Sequence, residues 1–420
     1  MVKEVKRNML QEAIDVLSVS PSATLLGARQ VGKSTFANQL LGVLDGKIVN
    51  LEDDYIMAYA IRDTGGFLKQ NDNGLLVIDE VQRLPKLTLA IKREIDKNKR
   101  PGKFLLTGSS NIMRMRKNPE SLAGRTINLK MYGFSQGELL GIKEDFVSDI
   151  DNGKDIRNFK SLLTKKDYAK KMFAGQYPEQ YDNFAETQKY RWFESYISNI
   201  LNRDLSFISG QLVPERVYEI LKIVSANQAG ELVKGRIGGS LEIPRNSVSN
   251  YIDTLETLGL IATIPVYSRN LTKKAIQYKK SIVLDSALCM YLNTLNTNKI
   301  LDPKNLTIFG HLFEGFIISE ILKQKEWSKK RYNLYHYRNA RGEEIDLIIE
   351  LDDGSLILME IKGTSTHRYD DFKNIFKLKN ELGDKVIAGF VVNTSDSVQA
   401  AGDNCWFIPA SLLWEVGNFD

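Results

Sequence analysis

The stretch GARQVGKST at residues 27–35 constrains this chain more than any other segment, because its flanks are as informative as its centre. Residues 22–27 (SATLLG) predict a short buried strand, residues 35–44 (TFANQLLGVL) a helix, and residues 46–51 (GKIVNL) a second strand. A strand–helix–strand unit of this kind requires a parallel sheet. The fold class that we predict is therefore α/β, with a parallel-sheet core at the start of the chain.

The turn between the first strand and the helix has the spacing of a phosphate-binding loop, G-x-x-x-x-G-K-S. Its glycines let backbone N–H groups turn toward phosphate oxygens, and the helix that follows adds the positive end of its dipole. The lysine is expected to reach the β- and γ-phosphates, and the serine hydroxyl to bind Mg²⁺. The predicted nucleotide-binding residues of this turn are Gly27, Gly32, Lys33, Ser34 and Thr35.

A second apolar run, GLLVIDE at residues 74–80, ends in two carboxylates. Asp79 is placed to hold Mg²⁺, usually through water. Glu80 is placed to orient and deprotonate the attacking water, so it is the candidate general base beside the catalytic Lys33. The alternative is an ordinary strand end with solvated acids.

A third strand is predicted at residues 103–110 (KFLLTGSS), and its tip is polar. Thr107, Ser109 and Ser110 lie there, and we predict that Ser109 contacts the γ-phosphate. Helix capping by a serine is an equally good explanation for these side chains.

Several segments together resemble a known group, the prokaryotic AAA-type ATPases whose core is followed by an uncharacterised conserved domain. They are GARQVGKSTF, LLVIDEVQRLP, FLLTGSSN, SLAGRTINL, MYGFSQGEL, GQYPE and RWFESYISNILNRDL, which extend to residue 205. The resemblance implies an AAA-like α/β core that uses ATP and Mg²⁺. Arg125, in SLAGRT, is a candidate for a γ-phosphate contact, in cis or from a neighbouring subunit; Arg29 and Arg93 compete with it, and a surface ion pair is the structural alternative.

The middle of the chain predicts a winged helix. A charge-rich connector, flexible or helical, covers residues 141–171, and residues 214–284 read as three helices followed by two strands with a basic turn between them. In such a module the third helix can enter a DNA major groove and the wing can meet phosphates. The candidate DNA-binding residues are Arg245, Asn246, Arg269, Lys273 and Lys274. The alternative is a structural module that packs on the ATPase or on another subunit.

The C-terminal segment predicts a helix, three strands, a second helix and another buried strand. Asp346 is followed by Glu360-Ile361-Lys362, and this D-x(n)-E-x-K pattern resembles the PD-(D/E)XK nuclease superfamily. The resemblance implies a metal site at Asp346 and Glu360, with Lys362 as the third catalytic side chain. Glu314 matches an additional helix carboxylate of some relatives, and Glu344 faces the same side as Asp346. The alternative is a degenerate nuclease fold used only for structure or binding.

Composition excludes several other classes. Two cysteines out of 420 residues leave no zinc finger and no disulfide framework, which fits a reducing cytoplasm. The charged N-terminus is unlike a signal peptide, and no stretch of about 18 apolar residues suggests a membrane span. The net charge of +5 excludes a polycation but allows local basic patches.

These observations predict four domains: an ATPase at 1–135, a helical connector or lid at 136–205, a winged helix at 206–300 and a nuclease-like domain at 301–420. The predicted function is ATP binding and hydrolysis by a protein that binds DNA and cleaves it with a metal ion. The alternative is an ATP-dependent switch or scaffold whose inactive C-terminal domain binds protein. Because AAA-type cores often use a neighbour's arginine, a homo-oligomer is compatible with this prediction.

Overall fold

The computed structural model describes residues 4–109, 122, 124–181, 185–208, 212–268, 278–339 and 341–418. Within them the first sheet has five strands, all parallel, in the order β2-β3-β4-β1-β5. They are β1 (Ser22–Gly27), β2 (Gly46–Asn50), β3 (Leu75–Asp79), β4 (Phe104–Ser109) and β5 (Thr126–Met131). The predicted α/β class with a parallel-sheet core is confirmed.

Helices cover this sheet: Leu10–Val19, Lys33–Leu41, Asp54–Arg62, Thr64–Lys69 and Leu87–Lys97, with a 3-10 turn at Val81–Arg83. Gly32, just before the second of them, has φ of 93°. That left-handed conformation costs glycine little and disfavours other residues. Because β1 lies inside the sheet, between β4 and β5, the loop that follows it lies at the middle of the carboxyl edge, where α/β sheets bind ligands.

The predicted connector at 141–171 contains packed helices. Gln136–Leu140 is followed by Phe146–Asp151 and by Lys165–Ala174, and the last two bury apolar side chains in the core. A longer helix, Glu186–Asn199, continues through a π-helical turn at Ile200–Asp204. This helical region ends with Leu205–Ile208.

Three further helices, Pro214–Ala226, Lys234–Leu241 and Arg245–Thr257, precede an antiparallel strand pair. The pair is β6 (Ile261–Ile264) and β7 (Lys280–Val283), which together we call the hairpin. The predicted order of three helices and two strands is thus observed. The predicted wing residues Arg269, Lys273 and Lys274 lie outside the described residues.

The last unit is a mixed sheet, for which the described residues give six strands in the order β12-β13-β11-β10-β9-β8. The strands are β8 (Tyr332–Arg338), β9 (Glu344–Leu351), β10 (Leu356–Ile361), β11 (Val386–Asn393), β12 (Gln399–Gly402) and β13 (Cys405–Pro409). The remaining helices are Ser286–Leu292, Thr297–Leu301, Leu306–Gln324, Lys373–Leu382 and Leu412–Glu415. This agrees with the α/β arrangement predicted for the C-terminal segment.

One helical segment, Pro303–Gln324, is long and apolar enough to cross a membrane by length and composition alone. Its residues from Phe309 onward are largely buried inside the protein. It also carries Glu314 and Glu320, which form buried ion pairs with Lys280 and Lys323. Here it is a core helix.

The units share buried apolar surface. One cluster of buried side chains extends from Ala13 in the first helix through Tyr196 in the middle to Trp414 near the end. The four domain boundaries stay a prediction.

Candidate nucleotide site and carboxylate cluster

The lysine of the phosphate-binding loop is folded back onto the loop itself. Lys33 Nζ donates hydrogen bonds to the carbonyl oxygens of Gly27 at 3.1 Å and Ala28 at 2.8 Å. Burial lowers the pKa of this ammonium to about 8, and the nearby carboxylates of Glu80 and Asp79 act in the opposite direction. The Lys33 ammonium is therefore poorly solvated, and phosphate oxygens bound in the loop would stabilise its charge.

Asp79, at the end of β3, is fixed by two hydroxyl groups. Ser34 Oγ donates to its Oδ2 at 2.7 Å, and Thr107 Oγ1 donates a short hydrogen bond to its Oδ1. Thr107 is fully buried and Asp79 nearly so. Ser34 and Asp79, each predicted to hold Mg²⁺, contact each other directly, and Thr107 joins them.

Glu80 follows Asp79 in a left-handed conformation, with φ of 57°. Its N–H donates to Asp79 Oδ1 at 3.1 Å, and Gln82 Nε2 donates to its Oε2 at 2.5 Å. Burial raises the pKa of this carboxyl, with Asp79 adding repulsion and Lys33 opposing the rise. A non-glycine residue in this backbone region marks a constrained position, and a raised pKa suits a group that must accept a proton.

The chemistry of this donor set fits Mg²⁺. Ser34 and Thr35 are exposed at the mouth of the loop, and the Asp79 carboxylate is already in contact with the serine hydroxyl. Hard oxygen donors are the ligands that Mg²⁺ prefers, and it commonly keeps several waters. Ser34 would hold the ion directly and Asp79 through water.

Arg125 does not lie at this site in its own chain. It immediately precedes β5, whose first residue pairs with Ser22, so it lies at the edge of the sheet opposite the loop. There its guanidinium forms two hydrogen bonds to Asp96, at 2.7 and 3.1 Å. The predicted contact in cis is wrong because a strand's length separates the two positions. A contact with a neighbouring subunit stays a prediction.

Ser109 lies at the carboxyl end of β4, where its backbone pairs with Gly27. Its side chain lies outside what the structure describes, so its predicted role is untested. Thr107, two residues earlier on this strand, does reach the site, where it contacts Asp79.

The helical middle region touches the loop at several points. Arg29 Nε lies 3.3 Å from Asp204 Oδ2, and Tyr196 Oη donates to the Arg29 carbonyl at 3.3 Å. Tyr196 Oη also bonds Tyr177 Oη at 2.9 Å. Asp204 is the last residue of the π-helical turn, a kind of irregularity that is frequent at functional sites. The loop and the middle helix therefore have a direct polar connection.

Of the two predicted metal ligands, Asp346 converges with Glu314 and Glu344 on a lysine, and Glu360 does not. Lys280 Nζ lies 2.5 Å from Glu314 Oε1 and 3.5 Å from both Glu344 Oε1 and Asp346 Oδ1. Burial alone would lower the pKa of Lys280, yet attraction by Glu314 and Asp346 outweighs it and raises that pKa. We call these three acids and Lys280 the carboxylate cluster.

The other two predicted residues lie next to this cluster. Lys362 Nζ donates to Glu360 Oε1 at 2.7 Å, as expected for side chains two positions apart on one strand face. The Ile361 N–H donates to Asp346 Oδ2 at 2.8 Å, which ties β9 to β10 beside Glu360. Burial, with repulsion by Asp346, raises the pKa of Glu360 to about 8.

This arrangement does not fit a metal ion. Across the described residues, no three His, Cys, Asp or Glu side chains are placed to hold one. The space between Glu314, Glu344 and Asp346 holds the Lys280 ammonium instead. The predicted metal ligands Asp346 and Glu360 are therefore engaged by protein groups.

The exposed face of the helix Arg245–Thr257 carries the predicted DNA-binding residues that are described. Arg245 and Asn246 are exposed, as is Asn250 one turn on, while Val248 and Ile252 on the other face are buried. Lys234 Nζ, from the preceding helix, donates to Ser249 Oγ at 2.9 Å. The helix thus presents a polar surface that carries Arg245, two amide side chains and the exposed acid Asp253.

Sequence reasoning missed Lys280, the contact of Thr107 with Asp79 and that of Arg29 with Asp204. A sequence signal for Lys280 did exist, because it begins a strand in which the next three residues, Ser281, Ile282 and Val283, are all buried. A lysine in such a run needs a buried partner.

The strand order, the loop and the Ser34–Asp79–Thr107 contacts are those of a P-loop type α/β core. Residues 20–140 match the model of an AAA domain family. Residues 165–299 and 309–413 match two domains of unknown function, DUF8612 and DUF4143.

Two curated relatives cover 83% of this chain and 71% of their own length at 25% identity; they are uncharacterised proteins of Mycobacterium bovis and Mycobacterium tuberculosis. Among solved structures, a Walker-type ATPase of Pyrococcus abyssi is 14% identical, with a TM-score of 0.42, and covers 68% of this chain and 95% of that one. RuvB of Thermotoga maritima is 17% identical, with a TM-score of 0.30, and covers 65% of this chain and 95% of that one. At these scores neither structure carries an argument about function.

Proposed function

We propose that the chain hydrolyses ATP in a Mg²⁺-dependent reaction and uses the nucleotide state to reposition its middle region. The observation that carries this is the chain of contacts from Ser34 through Asp79 to Thr107, which fixes a magnesium-binding carboxylate against the phosphate-binding loop. When bound, the metal would neutralise charge on the β- and γ-phosphates. Lys33 would leave its two carbonyl acceptors for the phosphates, and Glu80 would take a proton from the attacking water.

The same loop also contacts the middle region that we propose is repositioned. Arg29 precedes Lys33 by four residues, and it binds Asp204 at the end of the π-helical turn. A loop that closes on phosphates shifts Arg29, and the ion pair transmits that shift to the helix ahead of the three-helix unit. This connection supports the switch alternative of the sequence analysis.

A direct test compares ATP turnover of the wild type with that of Lys33→Ala. The variant should lose at least about 100-fold in turnover, because the charge that stabilises the transferring phosphoryl group is gone. Lys47→Ala, an exposed lysine on β2, is the matched control and should turn over normally. Retained turnover in Lys33→Ala would defeat the site assignment.

A second candidate function, DNA binding, is supported by the exposed polar face of helix Arg245–Thr257. We propose that this helix, its two predecessors and the hairpin act as a winged helix that contacts a duplex. Arg245→Ala should weaken duplex binding about two- to tenfold at low salt and make its dependence on salt less steep. Arg191→Ala, an exposed arginine on the helix Glu186–Asn199, should not. Equal duplex binding by both variants, or no duplex binding by the wild type at low salt, would contradict the proposed DNA binding.

Cleavage of DNA by the C-terminal domain, its PD-(D/E)XK nuclease-like identity, a homo-oligomer and a cytoplasmic location stay predictions. Of these, the carboxylate cluster bears on cleavage. With Lys280 among Glu314, Glu344 and Asp346, the geometry favours a domain that does not cut in this state.

A further inference from the structure

The C-terminal carboxylates have gathered around a cation that belongs to the chain. Lys280 is on β7 of the hairpin, whereas Glu314 is on the helix Leu306–Gln324 and Asp346 on β9. The lysine side chain is 1% exposed, and its ammonium contacts three carboxylates and the backbone carbonyl of Asp346, at 3.4 Å. Oxygen atoms around a buried positive charge are the surroundings that a divalent cation would also select.

The ammonium and a metal ion exclude each other at this place. Mg²⁺ needs its oxygen ligands at about 2.0–2.1 Å in near-octahedral geometry. An ammonium group among the same oxygens fills that volume and repels a second positive charge. Two of the three carboxylates, Glu314 and Asp346, are buried, so the group needs at least one positive charge nearby, and Lys280 already supplies it.

The hairpin that carries Lys280 is bound to the last sheet by its backbone as well. The N–H of Tyr267 donates to the carbonyl of His336 at 2.6 Å, and the His336 N–H donates to the carbonyl of Pro265 at 2.9 Å. His336 Nε2 also lies 3.1 Å from the Tyr278 carbonyl, at the other strand. Lys280 can therefore leave the cluster only if these hydrogen bonds between the hairpin and the last sheet break.

We propose that Lys280 is the resident cation of the C-terminal domain: its ammonium fills the space between Glu314, Glu344 and Asp346, and it keeps the domain metal-free and bound to the hairpin. The hairpin then supplies the side chain that occupies the space between the three carboxylates. The proposal concerns a site that is separate from the nucleotide site and does not depend on ATP hydrolysis. It also accounts for the engaged state of Asp346, whereas Glu360 is engaged by Lys362.

The test is a titration of the full-length, nucleotide-free protein with Mn²⁺, in which electron paramagnetic resonance measures the concentration of the free ion. Lys280→Met removes the charge and keeps an unbranched side chain, so this variant should bind one more Mn²⁺ than the wild type. Adding Asp346→Asn to that variant should abolish the extra site. Lys279→Met, whose lysine is exposed one position earlier, is the matched control and should behave as the wild type.

The proposal is overturned if the wild type and Lys280→Met bind the same number of Mn²⁺ ions with equal affinity. Breaking a buried ion pair can also unfold a protein, because it leaves carboxylates without a counter-charge. Acetylation of the wild type therefore provides a second test, since it needs no variant. Lys280 should react at least about tenfold more slowly than Lys279, with or without Mn²⁺, because its amine is buried. Equal rates, or a rate at Lys280 that rises when Mn²⁺ is added, would also overturn it.

Discussion

Replacing Thr107 by valine isolates one hydrogen bond of the proposed magnesium site. The two side chains have similar shapes, but valine cannot donate to the Asp79 carboxylate as Thr107 does. Thr107 is fully buried, so no solvent replaces the lost donor. A hydrogen bond to a charged group contributes about 1.5–3 kcal/mol, which corresponds to about 10- to 150-fold in an equilibrium or a rate.

Two other donors to Asp79 remain in the valine variant, from Ser34 Oγ and the Glu80 N–H. We therefore expect an effect at the low end, a loss of about 10- to 30-fold in turnover at limiting Mg²⁺. Phosphate release measured over a Mg²⁺ series at saturating ATP gives this number, and excess Mg²⁺ should restore part of the activity. A carboxylate that is less well oriented binds the ion more weakly without losing it.

The control for this variant is Thr88→Val. Thr88 is also buried, in the same unit, but its hydroxyl donates to the Pro85 carbonyl at 2.7 Å, away from the nucleotide site. This change should cost stability and leave turnover within about twofold of the wild type. If Thr107→Val and Thr88→Val have the same turnover at every Mg²⁺ concentration, the assignment of Thr107 as the residue that positions Asp79 is refuted.

Two further predictions concern buried charges. Burial raises the pKa of Glu144 to about 9, so this carboxyl is protonated in the folded protein and ionised in the unfolded one between about pH 4.5 and 9. The folded state then binds more protons than the unfolded state, so the free energy of unfolding of the wild type falls as pH rises. Relative to the wild type, Glu144→Gln should gain up to about 1.4 kcal/mol in free energy of unfolding per pH unit, measured by thermal unfolding, whereas the exposed control Glu4→Gln should not. The same pH dependence of stability in the wild type and Glu144→Gln would contradict the raised pKa. Asp204→Asn should weaken nucleotide binding about three- to tenfold in a fluorescence titration, because the ion pair to Arg29 steadies the loop. A double-mutant cycle with Arg29→Ala that gives no coupling would contradict this.

The nucleotide site could be predicted because its determinants are local. The loop spacing fixes Gly27, Gly32, Lys33 and Ser34 within eight consecutive residues, and apolar runs fix the strands on which Asp79 and Glu80 end. Parallel strands in one sheet then bring these ends together at one edge. The contact of Thr107 was harder to predict, since it depends on which of three polar residues at the tip of β4 faces Asp79.

Tertiary contacts were not predictable in this way. Arg125 lies in a motif of the resemblance, but its position at the wrong end of β5 follows from strand register, which the motif does not encode. Lys280 lies 66 positions before Asp346 in the chain, and only the docking of the hairpin on the last sheet brings them together. Asp346 and Glu360 lie near each other because the adjacent strands β9 and β10 place them there, whereas Glu314 reaches Lys280 from a helix.

The central claim, that this loop and its two carboxylates hydrolyse ATP, is tested most directly by Glu80→Gln. Binding and hydrolysis are measured on the same preparation, by fluorescence titration with a labelled ATP and by phosphate release with Mg²⁺. We expect a dissociation constant within about threefold of the wild type and a turnover lower by at least about 100-fold, because the amide cannot accept the proton of the attacking water. Turnover by Glu80→Gln close to that of the wild type would contradict it.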